Sequence, residues 1–164
     1  MRNLSFGDLV DVASEVAEEL RICEESIAVS ESAAGGLVNA SLVAVPGASD
    51  FYLGGMVVYT SASRALLAQN DPLPKGLRGA TEAFAFEQAR RAKSIYGADW
   101  GLGETGATGP SSNPYGDPPG SGWVACSGRD EASFSLNTGV SERSLNMLEF
   151  AIAALELALR SIRA

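Results

Sequence analysis

Ser26–Ile27–Ala28–Val29–Ser30, then Glu31–Ser32–Ala33–Ala34–Gly35–Gly36, then a helical pattern that Pro46–Gly47 stops: this stretch reads as strand, tight turn, helix, and it decides the fold. A hydroxyl in such a turn, with two glycines opening the helix, leaves backbone N–H groups that can face an anion or a developing oxyanion. The same residues also fit a plainer role, with Ser32 as a helix cap and the glycines permitting close packing.

Upstream, residues 6–20 place Leu9, Ala13, Val16 and Leu20 at helical spacing behind a candidate cap at Ser5. Downstream, residues 51–60 read as a strand bulged at Gly54–Gly55, 61–68 as a short helix, 80–96 as a long helix and 100–105 as a buried strand. Residues 106–122 form a long loop, and strands at 122–127 and 132–137 flank a turn at 128–130. Leu145, Leu148, Ile152, Leu155 and Leu159 mark the core-facing stripe of a last helix. This alternation predicts an α/β fold, a three-layer α/β/α sandwich whose sheet is mixed and mainly parallel, because the late hairpin must be antiparallel. No repeat or linker divides residues 1–164, so one domain is expected.

The chain carries a net charge of −8 with its 12 Lys and Arg scattered, which argues against a nucleic-acid surface. Arg90–Arg91 with Lys93 reads as the wet side of a helix. Two cysteines, Cys23 and Cys126, make no CxxC pair, and no leader precedes the first helix, so a cytoplasmic location is expected. No apolar run nears the roughly 20 residues of a membrane span. Histidine is absent, which excludes Ser/His/Asp and Cys/His triads and zinc motifs. Serine or threonine activated by Lys, Tyr or a carboxylate remains, as do carboxylate pairs. No metal site is expected, although magnesium bridging a ligand phosphate stays open.

A second candidate segment is Gly103–Glu104–Thr105–Gly106–Ala107–Thr108–Gly109–Pro110, running on to Tyr115–Gly116–Asp117. Glycines ending a buried strand mark the ligand edge of open α/β sheets. The segment has neither the lysine of a Walker loop nor GxGxxG spacing. Tyr115 either stacks on a planar ligand as a lid or packs the loop onto the sheet.

Together these segments resemble the CinA C-terminal (nicotinamide mononucleotide deamidase) family. Ser30–Glu31–Ser32–Ala33–Ala34–Gly35–Gly36 resembles its A-E-S-x-T-G-G motif, with Val45–Pro46–Gly47–Ala48–Ser49 following. Gly54–Gly55–Met56–Val57–Val58–Tyr59 resembles its G-G-x-V-x-Y-S-N segment, and Gly106–Ala107–Thr108–Gly109–Pro110 its S-G-x-A-G-P loop. The resemblance implies a metal- and cofactor-free hydrolase acting on the carboxamide of a pyridine nucleotide. It also implies that the molybdopterin-binding-like domain of longer members is absent.

By position, Ser32 corresponds to the nucleophile, Tyr59 to the active-site tyrosine, and Arg64 to the lysine that partners the serine. Ser30, Glu31, Gly35, Gly36, Thr105, Gly106, Thr108, Gly109 and Tyr115 fall on substrate-binding positions, Thr105 where the family has a serine. Arginine stays protonated and cannot readily take the serine proton, which leaves Tyr59, Glu31 or a water as acceptor. The implied partner is a small-molecule nucleotide, with no nucleic acid and no membrane, and a homo-oligomer is expected. The alternative is a paralogue that binds a nucleotide and has lost the reaction.

Overall fold

The structure, a computed structural model, describes residues 3–164. Ser5 opens α1 (Phe6–Cys23): its hydroxyl accepts from the Asp8 amide, and the Asp8 carboxylate accepts from the Ser5 amide. Glu24 ends this helix in the left-handed region at φ 56°. There follow β1 (Ile27–Glu31), α2 (Leu37–Val43), a 3-10 turn (Ala48–Asp50), β2 (Tyr52–Val57), α3 (Ser61–Leu67), α4 (Glu82–Tyr96), β3 (Trp100–Ala107), β4 (Ser121–Ser127), β5 (Glu131–Asn137) and α5 (Arg143–Arg163).

Among the described residues one sheet forms, in the order β2-β1-β3-β4-β5. β2, β1 and β3 run parallel, and β4 is antiparallel to both its neighbours, so it alone opposes the common direction. The mixed, mainly parallel sheet between helical layers is therefore the architecture observed. Ile27, Val29, Trp100, Leu102, Val124 and Cys126 point to the face covered by α1, α2 and α5, where the main core lies. Ala28 and Ala125 face α4.

On that second face the middle of β3 is bare of side chains, at Gly101 and Gly103. A Cβ on Gly101 would stand 1.8 Å from the Ala89 carbonyl oxygen, and one on Gly103 2.1 Å from that of Ala85. α4 thus rests on the backbone of β3, and these glycines are there for the approach of the helix.

A bulge is present in β2, but just before Gly54–Gly55 rather than at these glycines, where it was expected. Ile27 pairs with Tyr52 and Ala28 with Gly54, which leaves Leu53 as the extra residue. Among the departures from the sequence reading, three bear on the site and the core. β2 stops at Val57, after which the chain leaves β1 with a last bond from the Val58 amide to the Glu31 carbonyl. β3 runs on to Ala107 because Gly106 and Gly122 let β4 approach closely, which shortens the expected loop to residues 108–120. α5 is buried almost all round from Phe150 to Ile162, beyond the expected stripe, because it lies between the sheet and two other helices.

Candidate functional site

The C-terminal ends of β1 and β3, the segment after β2 and the loop after β3 enclose a cavity of about 440 Å³. This is the edge at which parallel strands deliver ligand-binding groups. Of the residues singled out in the sequence, Ser32, Tyr59, Arg64, Thr105, Gly106, Thr108, Gly109 and Tyr115 line it. Ser30, Glu31, Gly35 and Gly36 are not on its wall.

Each of those four has another task. The Ser30 hydroxyl donates to Gln88 Oε1 at 3.0 Å beneath the sheet edge. The Glu31 carboxylate accepts from the amides of Gly36, Val38 and Asn39 and from Asn39 Nδ2, so it caps the start of α2. This commitment removes Glu31 as an acceptor for the serine proton. Gly35 and Gly36 adopt positive φ, 68° and 101°, which carries the turn into α2.

Most of the amides expected to be unpaired in the turn are already taken, and among the described residues that of Ala33, on the cavity wall, has no partner. Ser32 N–H and Ala34 N–H donate to Glu104 Oε2 at 3.1 and 2.9 Å, and Gly35 N–H donates to the Ser32 carbonyl. Two carboxylates of the protein itself, Glu31 and Glu104, therefore occupy three of the donors that the sequence suggested for a ligand, those of Ser32, Ala34 and Gly36. The Ser32 hydroxyl donates to the Glu104 main-chain oxygen at 3.1 Å, and Gln88 Nε2 donates to the same oxygen at 2.7 Å.

Burial without solvent raises the Glu104 carboxyl to about 8, and the nearby charge of Glu31 pushes the same way. Its Oε1 is buried without a partner. Burial also raises Glu31, but its donors hold it back.

The cavity wall is cationic although the chain is acidic. Arg64 lies over the Phe84 ring at 4.5 Å with its Nε buried and unpartnered. Arg143, at the start of α5, donates to Tyr59 Oη at 2.6 Å and to the Gly109 carbonyl at 2.6 Å. Neither guanidinium has a carboxylate within ion-pair reach among the described residues. Thr105 Oγ1 accepts from the Ala80 amide at 2.9 Å, and Ala80 is held at φ 57° on the cavity wall.

Tyr115 is half exposed at the rim, with the Arg78 guanidinium 4.8 Å over its ring. Arg78 also pairs with Asp117 at 2.7 Å, and Asn113 closes the turn by donating to Asp117 and accepting from the Tyr115 and Asp117 amides. Asn146, buried in α5, donates to the carbonyls of Thr108 and Val140 and so pins the loop from below. Lys75 and Lys93, the lysines of the chain, do not line the cavity. Among the described residues no group of three or more Cys, Asp or Glu could hold a metal, and no helix is long and apolar enough to cross a membrane.

Glu104, Gln88, Arg78, Arg143 and Asn146 went unassigned in the sequence. Glu104 and Gln88 had a signal, since an acid inside a buried strand and an amide on the Phe84–Ala85–Ala89–Ala92 stripe are both polar groups in apolar company.

A three-layer α/β domain with a cationic cavity at its parallel strand ends is the class that the geometry defines. The chain belongs to the CinA C-terminal domain family, whose model matches residues 9–162. A CinA-like protein of Salinibacter ruber is 33% identical over 160 residues, covering 97% of this chain and 39% of its own length. One from Synechocystis is 37% identical over 121 residues, covering 73% of this chain and 29% of its own. The chain thus spans two fifths or less of the curated relatives it matches. The competence/damage inducible protein CihA of Agrobacterium tumefaciens has the same fold, with a TM-score of 0.86 at 21% identity and full coverage of both chains. Competence damage-inducible protein A of Klebsiella pneumoniae gives 0.86 at 21% identity over 94% of this chain and 97% of its own.

Proposed function

We propose that this domain hydrolyses the carboxamide of a pyridine nucleotide of the nicotinamide mononucleotide type, releasing ammonia without a metal. The reading is supported above all by one observation: Ser32, Thr105 and Tyr59 share a cavity with two guanidiniums, Arg64 and Arg143, that no carboxylate among the described residues neutralises. Such a cavity attracts an anionic ligand, and the phosphate of a nucleotide meets that demand.

In this reading the Ser32 oxygen bonds to the carboxamide carbon, and Arg64 and Thr105 steady the oxygen that gains charge. The C–N bond breaks, the serine proton leaves by way of water to the departing nitrogen, and ammonia departs. Water then cleaves the acyl ester, returning the proton to Ser32 and freeing the acid. Purified protein incubated with nicotinamide mononucleotide is expected to release ammonia above a Ser32→Ala control. Equal release from the two proteins sinks the proposal.

A second reading, a nucleotide-binding module without turnover, is favoured by a different observation. The Ser32 hydroxyl donates to a main-chain carbonyl, and Arg64, which lines the same cavity, is no base. This reading expects the melting temperature to rise with nucleotide, by an amount equivalent to about 2.7 kcal/mol at a hundred times the dissociation constant, and no ammonia.

A further inference from the structure

Glu31 and Glu104 pair in register on adjacent parallel strands and project to the same face of the sheet, under the turn that carries Ser32. Like charges this close in an apolar setting do not both persist. The hydrogen bonds divide the labour. Glu31 accepts from four donors and is the charged member, whereas Glu104 accepts from two, both through Oε2, and no donor supports a charge at its Oε1.

We propose that Glu104 is a positioning residue for Ser32: its side chain holds the amides of Ser32 and Ala34, while its own main-chain carbonyl holds the Ser32 hydroxyl. One residue thereby fixes both the backbone and the rotamer of the residue at the bottom of the cavity. Ser30 and Gln88 complete the arrangement, since Gln88 is oriented by Ser30 and donates to that same carbonyl. Glu104 does this in its neutral form. Ionised, it would bring a second negative charge to the Ser32 oxygen. The other charged groups around the turn are Glu31 on β1 beneath it and Arg64 of α3 and Arg143 of α5 across the cavity, while α2 and β2 carry none.

The proposal rests on Ser32 being the reactive group of the amidase reading, but its test does not need turnover. In the full chain carrying Cys23→Ser, which removes the exposed thiol, Ser32→Cys places a thiol where the hydroxyl stands, and its alkylation by iodoacetamide reports its environment. With Glu104 intact, ionisation of the acid should oppose the thiolate, so that near pH 9 the alkylation rate is about tenfold below that of the same protein with Glu104→Gln. Near pH 6.5 the two rates should agree within about twofold, because glutamine still offers an oxygen to both amides. The amide proton resonances of Ser32 and Ala34 should titrate together with Glu104 intact and stay constant with Glu104→Gln.

Alkylation profiles that superimpose with and without Glu104→Gln overturn the proposal, even where the amides titrate, since the acid would then brace the turn without acting on the side-chain atom. A Glu104-dependent profile in a protein that releases no ammonia removes the amidase reading and leaves the positioning role standing. Ammonia release together with profiles indifferent to Glu104→Gln does the reverse.

Discussion

Glu31 and Glu104 stand directly opposite one another on parallel strands, both fully buried, and Glu104 keeps its proton up to about pH 8. The unfolded chain releases that proton in the ordinary glutamate range, so between the two values the folded state holds more protons. Stability must therefore fall as pH rises through this window, by up to about 1.4 kcal/mol per pH unit, and level off above it. Denaturant unfolding between pH 5.5 and 9 (roughly the span of the effect) measures the slope. Glu104→Gln is expected to flatten it, and an unchanged slope in that variant would assign the effect elsewhere.

Arg64 is the residue whose exchange changes proton chemistry most at least steric cost. Arg64→Lys introduces an amine that can titrate beside the cavity, and ammonia release is expected to appear or grow as pH rises from 6 to 9 (roughly the span in which a desolvated lysine deprotonates). Weaker nucleotide binding with no release would instead identify Arg64 as an anchor whose two-pronged contact lysine cannot reproduce. No change in either quantity would put Arg64 outside the ligand's reach.

At the rim, the Arg78 guanidinium holds the Asp117 carboxyl below its usual range, so this clamp is present above that range and is lost only as pH falls through the depressed value. Asp117→Ala is expected to speed hydrogen exchange at the amides of Asn113, Tyr115 and Gly116 by about tenfold, in keeping with the loss of a fixed turn. Nucleotide affinity should fall in the same protein. Exchange that stays slow would show that Asn146, from below, suffices to hold the loop.

Much of the fold could be read along the chain, because each element carries its own periodicity. Leu9, Ala13, Val16 and Leu20 write α1 without help from any other segment, and Ser5 caps it as its sequence says. The turn at residues 31–36 was also legible as a place where amides converge. Its occupant was not, because Glu31 and Glu104 lie 73 positions apart and only strand register brings them together. The role of Gly103 was hidden for the same reason. A glycine near a strand end can serve a ligand or a neighbouring helix, and the sequence does not say which backbone lies above it.

Glu24 offers a test free of the site. It is exposed and forced into the left-handed region at the end of α1, where glycine carries no steric penalty. Glu24→Gly is expected to stabilise the fold by about 1 kcal/mol, seen as a rise in melting temperature of about 2–4 °C. A lower melting temperature would mean that the helix end depends on the glutamate side chain.

Gly103→Ala should do the opposite. Its methyl would meet the Ala85 carbonyl oxygen 2.1 Å away, in backbone that cannot step aside. A loss of about 3 kcal/mol or more is expected in denaturant unfolding. A near-normal midpoint would show that α4 can lift off the sheet.

A helix separated from its sheet by interleaved side chains can shift as those chains change rotamer, whereas α4 has backbone beneath it at Gly101 and Gly103 and no such compliant layer. The two ends of α4 thus form the ends of one stiff beam. Just ahead of one end the Ala80 amide is tied to the Thr105 hydroxyl on the cavity wall; at the other the Tyr96 hydroxyl donates to the Gly55 carbonyl at 3.0 Å in edge strand β2. The cavity wall and the far edge of the sheet are thus bonded to residues at opposite ends of the same rigid segment.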